Sequence, residues 1–216
     1  MIIYREAYKN ELAGVADMMT ESFKEYSYFS MYIEDEKKRF KFIGAIYEML
    51  VRAYHKKAVI LVGLQESKIV SAAILRSPKS LEPNLLDYIL SGGLKVIFTG
   101  GLANTLGFMH MNKEANAECH KEYPHSWFLV AIAVSSSCQG QGLGRKMLDD
   151  FIKPYISKHG GGIFTFITHS EGNRAFYIKN GFTEFHAKIV RRNKKEITNW
   201  SYKMEIAPET AKIDKV

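Results

Sequence analysis

Hydrophobic residues recur along the chain at two spacings, which predict alternating helices and strands. A spacing near 3.6 residues marks a helix over residues 10–23, with its apolar stripe at Leu12, Val15, Ala16, Met19 and Phe23. The same spacing marks a second helix over about 35–54, with its apolar stripe at Phe40, Ile43, Tyr47, Leu50 and Val51. Apolar runs bounded by turn residues predict strands at 2–8, 58–65, 69–77, 127–134, 162–169, 183–190 and 196–206.

The stretch over residues 81–122 is less regular. It contains the glycine pairs 92–93 and 100–101 and several helix-like patches, and it is too long for an ordinary loop. We therefore expect one or two inserted helices before the strand at 127–134. Further helices are predicted at 141–158 and 171–180, so the pattern indicates an α/β (α+β) fold in one domain spanning 1–216.

Composition is that of a globular protein, with 216 residues of which 46% are hydrophobic and 25% charged. No segment approaches about 18 uninterrupted apolar residues, and charge occurs within the first ten residues, so we expect a cytoplasmic protein without a membrane partner. Cys119 and Cys138 lie far apart and outside any metal-ligand spacing. This pattern predicts neither a disulfide nor a bound metal.

The net charge is +7, and part of the excess lies in the cluster VRRNKK at residues 190–195. Such a cluster attracts nucleic acid or an anionic ligand in some proteins. Here it falls between two predicted strands without interleaved aromatic residues, which favours a solvated hairpin tip. We expect no nucleic-acid partner.

The stretch AIAVSSSCQGQGLGRKMLDDF, residues 131–151, passes from an apolar strand through a glycine-rich turn into a helix. The first N–H groups of such a helix are unpaired, and glycines at 140, 142 and 144 would let a phosphate approach them. Arg145 and Lys146 add positive charge there. The alternative is that the glycines only tighten a turn. Neither the P-loop spacing nor the dinucleotide-binding spacing fits, because no hydroxyl residue follows the lysine and Arg145 stands where a third glycine is needed.

The segment Gln139-Gly140-Gln141-Gly142-Leu143-Gly144 fits the pattern [Gln/Arg]-x-x-Gly-x-[Gly/Ala]. In this position it resembles the acetyl-coenzyme A motif of the GNAT N-acetyltransferase superfamily. The segment NRAFYIKNGF, residues 173–182, is similar to the second signature of that family, and the element order agrees outside 81–122. The resemblance implies a GNAT-type acyl-CoA N-acyltransferase fold, with a mixed, mostly antiparallel sheet flanked by helices.

The resemblance also implies a function, namely transfer of the acetyl group of acetyl-CoA to a primary amine by direct attack. Backbone amides of the glycine-rich loop would hold the pyrophosphate, the strand before it would pair with the pantetheine arm, and Tyr177 would donate a proton to the sulfur. Asn173, four residues earlier, would share the face of Tyr177. The expected cofactor-binding residues are Ile132, Ala133, Val134, Gln139, Gly140, Gln141, Gly142, Leu143, Gly144, Arg145, Lys146 and Asn173.

The general base is not evident from the pattern. Many members of the family carry a Glu or His on the motif strand, but the corresponding residues here are Phe128 and Val130, which cannot accept a proton. His125 and His120 are the candidates, since imidazole titrates near neutrality. Further options are Glu114, Glu118 and Glu122, a base acting through water, or no base at all.

The sequence HKEYPHSWFLVAIAV, residues 120–134, resembles the P-H-W-Y-L entry to this strand in the puromycin N-acetyltransferase-like branch of the family. Ser126 stands between the histidine and the tryptophan that would otherwise adjoin. The likeness is short, so it narrows the substrate class only a little.

Aromatic residues are dense between the first two helices, and in this fold such a link often forms a pocket wall. The expected substrate-binding residues are Tyr26, Tyr28, Phe29 and Tyr32, which would suit an amine on an apolar or aromatic body. They could equally be core residues, and the segment 81–122 could act as a lid. We expect a monomer or a homodimer. Two alternatives to a small-molecule N-acetyltransferase are left open: a protein or peptide N-acetyltransferase, and a CoA-binding module without turnover.

Overall fold

The structure, a computed structural model, describes residues 1–210 and contains a seven-stranded sheet in the order β1-β2-β3-β4-β5-β7-β6. Only the β4–β5 pair is parallel; its neighbours along the sheet pair antiparallel. The strands are β1 (Ile3–Glu6), β2 (Val59–Gln65), β3 (Lys68–Arg76), β4 (Trp127–Val134), β5 (Gly162–Thr168), β6 (Thr183–Arg192) and β7 (Lys195–Ile206). The expected mixed, mostly antiparallel sheet is confirmed.

Helices cover both faces of this sheet. They are α1 (Leu12–Phe23), α2 (Ser27–Ser30), α3 (Glu36–His55), α4 (Leu85–Tyr88), α5 (Leu94–Gly100), α6 (Leu102–Glu122), α7 (Leu143–Lys146), α8 (Lys153–Lys158) and α9 (Glu171–Lys179). A π-helical segment, Met147–Ile152, joins α7 to α8, so residues 143–158 run as one helical stretch.

The inner strands are apolar throughout because each of their faces meets a separate core. Alternate β3 residues divide between the two sides. Ala72 and Ile74 join the core formed with α1 and α3, whereas Ala73 and Leu75 join the core formed with the segment Met147–Ile152, α8 and α9. A strand buried on both faces loses the polar alternation of a surface strand, which explains the continuous runs in the sequence.

The inserted segment differs from the expectation of one or two helices. It consists of α4, a π turn at Ile89–Gly93, α5 and the long α6 in succession. Gly92 and Gly101 have φ angles of 113° and 79°, values that permit the breaks between these pieces. Gly100 lies against the ring of Phe42 on α3, where a Cβ would come within 2.2 Å of the ring, so the close approach of α5 requires glycine.

The basic hairpin tip at residues 190–195 is not simply solvated, contrary to the sequence expectation. Asn193 and Lys194 form the two-residue turn, both with positive φ. Arg192 lies over the ring of Tyr32, 4.8 Å from its centroid, and donates to the backbone of Ala103 at 3.1 Å. The tip therefore braces the inserted helices against the α1–α3 region.

Candidate active site

Strands β4 and β5 separate after a short contact. Their pairing is confined to Trp127 with Phe164 and Phe128 with Thr165 among the described residues. Beyond Phe128 the register of β4 with β3 also shifts by one residue, which leaves Val130 as an extra residue in β4. The result is a gap between the diverging ends of β4 and β5, with strand backbone along one side.

The backbone of β4 near its end is directed into this gap. Ser135 donates its N–H to the Val70 carbonyl of β3 at 2.8 Å, so the carbonyl of Val134 points away from β3, where it accepts from Ser22 Oγ at 2.8 Å. Backbone direction alternates along a strand. The N–H groups of Ile132 and Val134 therefore face the gap, whereas that of Ala133 faces β3.

The glycine-rich loop after β4 is a sharp turn. Gly140 and Gly142 have φ angles of 77° and 76°, and Gly142 is the residue immediately before α7. A Cβ at either position would meet nothing within 4 Å, so these glycines are required by backbone conformation and leave the turn open outside. Gly144 is helical, and a Cβ there would make ordinary contact with Val134 and Phe176.

The other residues of the predicted phosphate site surround this turn. Gln139 Nε2 donates to the Val134 carbonyl at 3.2 Å, Gln141 is exposed and Leu143 is buried beneath the turn. Arg145 forms an ion pair with Asp149 at 3.1 Å, and Lys146 is exposed. The loop therefore presents two cations, of which Arg145 is partly neutralised.

A cavity of about 520 Å³ occupies the gap and the space beneath the inserted helices. One wall is formed by β4 from Phe128 to Ile132 and the facing end of β5. The link between α1 and α2 and the inner face of α3 form another wall, and α4–α6 form the roof. The lining is mostly apolar, with a few polar groups near the strands, as is typical of small-molecule sites.

Tyr177 and Asn173 line this cavity from α9. Ser170 caps that helix by accepting the Asn173 N–H at 3.4 Å, and Asn173 Nδ2 donates to Thr168 Oγ1 at 3.2 Å. Tyr177 is buried among aromatic rings of β5 and β7. Burial raises the pKa of Tyr177, so its hydroxyl keeps its proton at neutral pH.

His120 also lines the cavity, at the end of α6. Its ring packs edge to face on Phe128, with centroids 4.8 Å apart. Its Nε2 lies 3.3 Å from a guanidinium nitrogen of Arg76 and 3.4 Å from a carboxylate oxygen of Glu82. Because guanidinium only donates, Nε2 accepts and the neutral ring carries its proton on Nδ1. Burial lowers the pKa of His120, an effect that Glu82 opposes and Arg76 reinforces.

The second histidine candidate lies elsewhere. His125 is exposed in the turn between α6 and β4 and does not line the cavity. Of the three glutamates on α6 that the sequence left open, Glu114, Glu118 and Glu122, none lines the cavity. His120 therefore lies against Phe128, the residue that occupies the usual position of the base on the motif strand. His125 and the three glutamates do not reach the cavity.

The aromatic link between α1 and α3 serves as both cavity wall and core. Tyr26, Tyr28 and Phe29 line the cavity, and the last two are buried. Tyr32 is buried too, but it packs against Phe108 beneath Arg192 and is not part of the cavity lining.

His169, at the end of β5, is a cavity residue that sequence analysis missed. Its Nδ1 lies 3.2 Å from the Tyr26 hydroxyl, which also accepts the His169 backbone N–H at 3.0 Å. Burial lowers the pKa of His169 to about 4, so the ring is neutral at physiological pH. No motif marks this residue, because its partner lies 143 positions away.

Residues 1–210 contain no cluster of three or more His, Cys, Asp or Glu side chains able to hold a metal ion. Within the same residues, no helix has the length and apolar character needed to cross a bilayer.

Comparison with known proteins agrees with this geometry. The family model for the GNAT acetyltransferase domain matches residues 97–184, which include β4, the glycine-rich loop and α9. None of the curated proteins compared matches the chain in sequence.

Solved structures share the fold at low identity. A histone acetyltransferase HPA2 and related acetyltransferase from Corynebacterium glutamicum aligns with a TM-score of 0.66 and 17% identity, covering 98% of this chain and 99% of that one. The ribosomal-protein-S18-alanine N-acetyltransferase from Escherichia coli gives 0.57 and 13%, with 99% of each chain covered. PaiA N-acetyltransferase from Thermoplasma acidophilum, in complex with coenzyme A, gives 0.54 and 13%, covering 95% and 99%. Residues 97–184 are thus similar to the GNAT acetyltransferase domain, and the described chain shares the fold of these solved acetyltransferases.

Proposed function

We propose that the protein transfers the acetyl group of acetyl-CoA to the primary amine of a small molecule. The observation that carries this proposal is the roofed, largely apolar cavity of about 520 Å³ at the gap between β4 and β5. The cavity adjoins the backbone of β4 on one side and the buried side chains of Tyr177 and His169 on the other. Such a space suits one compact amine placed beside a thioester.

The cofactor has a continuous surface available to it. The N–H groups of Ile132 and Val134 along β4 can pair with the amides of the pantetheine arm. The turn at residues 139–144, followed by Arg145 and Lys146, can hold the pyrophosphate through backbone N–H groups and positive charge. Asn173 and Tyr177 face the same gap from α9, near where the thioester would lie.

The chemical step needs a neutral amine, a stabilised oxyanion and a protonated leaving group. His120 accepts the amine proton on Nε2. Once protonated, Nε2 no longer accepts the hydrogen bond from Arg76 and instead donates to the Glu82 carboxylate as an ion pair. The amine nitrogen bonds to the acetyl carbon, whose oxygen is stabilised by N–H groups of β4. The carbon–sulfur bond then breaks, and Tyr177 donates its proton to the thiolate.

Direct attack is favoured over an acyl-cysteine intermediate. Cys138 lies in the turn after β4, where Ser137 Oγ is 3.6 Å from its sulfur. Cys119 is buried and burial raises its thiol pKa to about 12, which disfavours the nucleophilic thiolate. Neither cysteine lines the cavity.

A small acceptor is favoured over a peptide by the roof. Helices α4–α6 lie over the space next to β4, where a peptide needs an open groove for its flanking residues. Peptide acetylation is the alternative. The ribosomal-protein-S18-alanine N-acetyltransferase from Escherichia coli, which has a similar fold, is an example of it.

The experiment is a panel of primary amines and N-terminal peptides scored for thiol release from acetyl-CoA. We expect turnover with small amines and little with peptides. Calorimetry with coenzyme A accompanies the panel. Binding of coenzyme A without turnover on any amine would favour the CoA-binding module, and turnover on peptides alone would favour the peptide alternative.

A further inference from the structure

The inserted helices expose an unusual amount of apolar surface. Phe98 is 87% exposed and Leu90 is 72% exposed, and further large apolar side chains on α4–α6 are open to solvent. Scattered exposed leucines are ordinary, but a contiguous group on one segment indicates a binding function. The exposed residues of the segment are Leu81, Leu85, Leu86, Ile89, Leu90, Leu94, Phe98, Leu102, Leu106 and Met109.

This exposed surface continues into the cavity. Several of the same side chains both meet solvent and line the cavity, namely Leu85, Ile89, Leu94, Leu102, Leu106 and Met109. An apolar path therefore leads from the outside of the roof to β4. A surface meant only for another protein would not need to share its side chains with an internal cavity.

Charged groups also line the cavity. The acid is Glu82, which lies beside His120 next to Phe128 on β4 and is ion-paired with Arg76 at 3.2 Å; the cation is Lys113 on α6. An amine enters such a site as an ammonium ion, which the Glu82 carboxylate attracts. The cavity thus has an acid and an imidazole beside β4, and its largely apolar lining extends to solvent between α4, α5 and α6.

We propose that the acceptor is an amphiphilic primary amine. Its ammonium group binds near Glu82 and His120, and its aliphatic body lies among the inserted helices along those surface-reaching side chains that also line the cavity. This inference rests on the proposed function, since it names the class of amine that the same cavity takes.

The test is a series of straight-chain primary amines from four to twelve carbons, used below their micellar concentrations. Each methylene buried among apolar side chains strengthens binding by about fourfold. We expect kcat/KM to rise by up to this factor per carbon and to level off where the chain reaches solvent. Calorimetry of the same amines in the presence of coenzyme A measures binding without turnover.

Two leucine variants provide a matched pair. Leu106→Ser alters a side chain that lines the cavity, whereas Leu90→Ser alters one that is exposed on the same segment but outside the lining. Both positions are exposed, so both variants should fold. Leu106→Ser should lower the affinity for long amines several-fold with little effect on short ones, and Leu90→Ser should behave as wild type.

The outcomes separate the two proposals. Equal affinity for four-carbon and twelve-carbon amines, or equal effects of the two variants, would overturn the amphiphilic acceptor even if short amines are acetylated. Binding that strengthens with chain length without any acetylation would support the acceptor class and contradict the proposed transfer reaction.

Discussion

The Tyr26 hydroxyl accepts the backbone N–H of His169 at 3.0 Å and lies 3.2 Å from Nδ1 of the same residue. This contact joins the link after α1 to the end of β5, and both residues line the cavity. Donation by the Tyr26 hydroxyl to Nδ1 requires that this nitrogen carries no proton. The pair therefore depends on a neutral imidazole.

This dependence predicts a pH effect on stability. An unfolded histidine has a pKa near 6.5, whereas burial lowers the pKa of His169 to about 4. The unfolded state binds the proton more tightly, so the free energy of unfolding falls as pH drops from about 6.5 to 4, by up to about 3 kcal/mol. Urea denaturation across this range should show the fall. His169→Asn should show a smaller pH slope, and the exposed His125→Asn should retain the wild-type slope.

Tyr177→Phe tests the proton donor. The change removes one hydroxyl from a buried ring, so melting temperature and coenzyme A affinity should change little. Loss of a general acid typically lowers the rate by about 10²–10⁴-fold, and we expect kcat to fall by that order at saturating acetyl-CoA. Equal turnover would show that the proton comes from water or from another group.

His120→Gln tests the proposed base. We expect kcat/KM to fall by about 10²-fold or more, because glutamine fills the site but takes up no proton. The exposed His125→Gln is the matched control and should retain activity. In the wild type, activity should be lost as pH falls through the pKa of His120, which burial places below its ordinary value. An acid limb that persists unchanged in His120→Gln would assign the base elsewhere.

Gly142→Val tests the phosphate site. At its φ of 76°, a β-branched residue is strained and would shift the turn that presents the N–H groups. Calorimetry should show at least a tenfold loss of coenzyme A affinity. Gly160, before β5, has a φ of 101° and equally open surroundings, so Gly160→Val imposes similar strain away from the loop. If both variants bind coenzyme A like the wild type, the loop does not hold the phosphate.

Elements with strong local signals were predicted well from the sequence. The strand expected at 127–134 matches β4, Trp127–Val134, because its apolar run is bounded by turn residues on both sides. The glycine-rich loop and the α9 signature also indicated a fold that the structure shares. These features depend on residues that are neighbours along the chain.

Features that depend on distant contacts were not predictable in this way. The α3 stripe was expected to include Phe40, but Phe40 is exposed and Phe42 is buried, because α5 packs on a second side of α3 at Gly100. The pairing of His169 with Tyr26 and the docking of Arg192 on Tyr32 likewise join residues more than 100 positions apart. No local spacing encodes such contacts.

The roof built by α4–α6 comes from a different part of the chain than the strand, loop and helix assigned to coenzyme A. Exchanging residues 85–109 for another helical segment would therefore replace the acceptor side of the cavity while β4, residues 139–146 and α9 stay intact. The replacement segment would have to preserve two contacts, the packing of Gly100 on Phe42 and the hydrogen bond from Arg192 to the Ala103 backbone. A replacement that keeps these two anchor points would redirect the proposed acetyl-transfer centre to new amines.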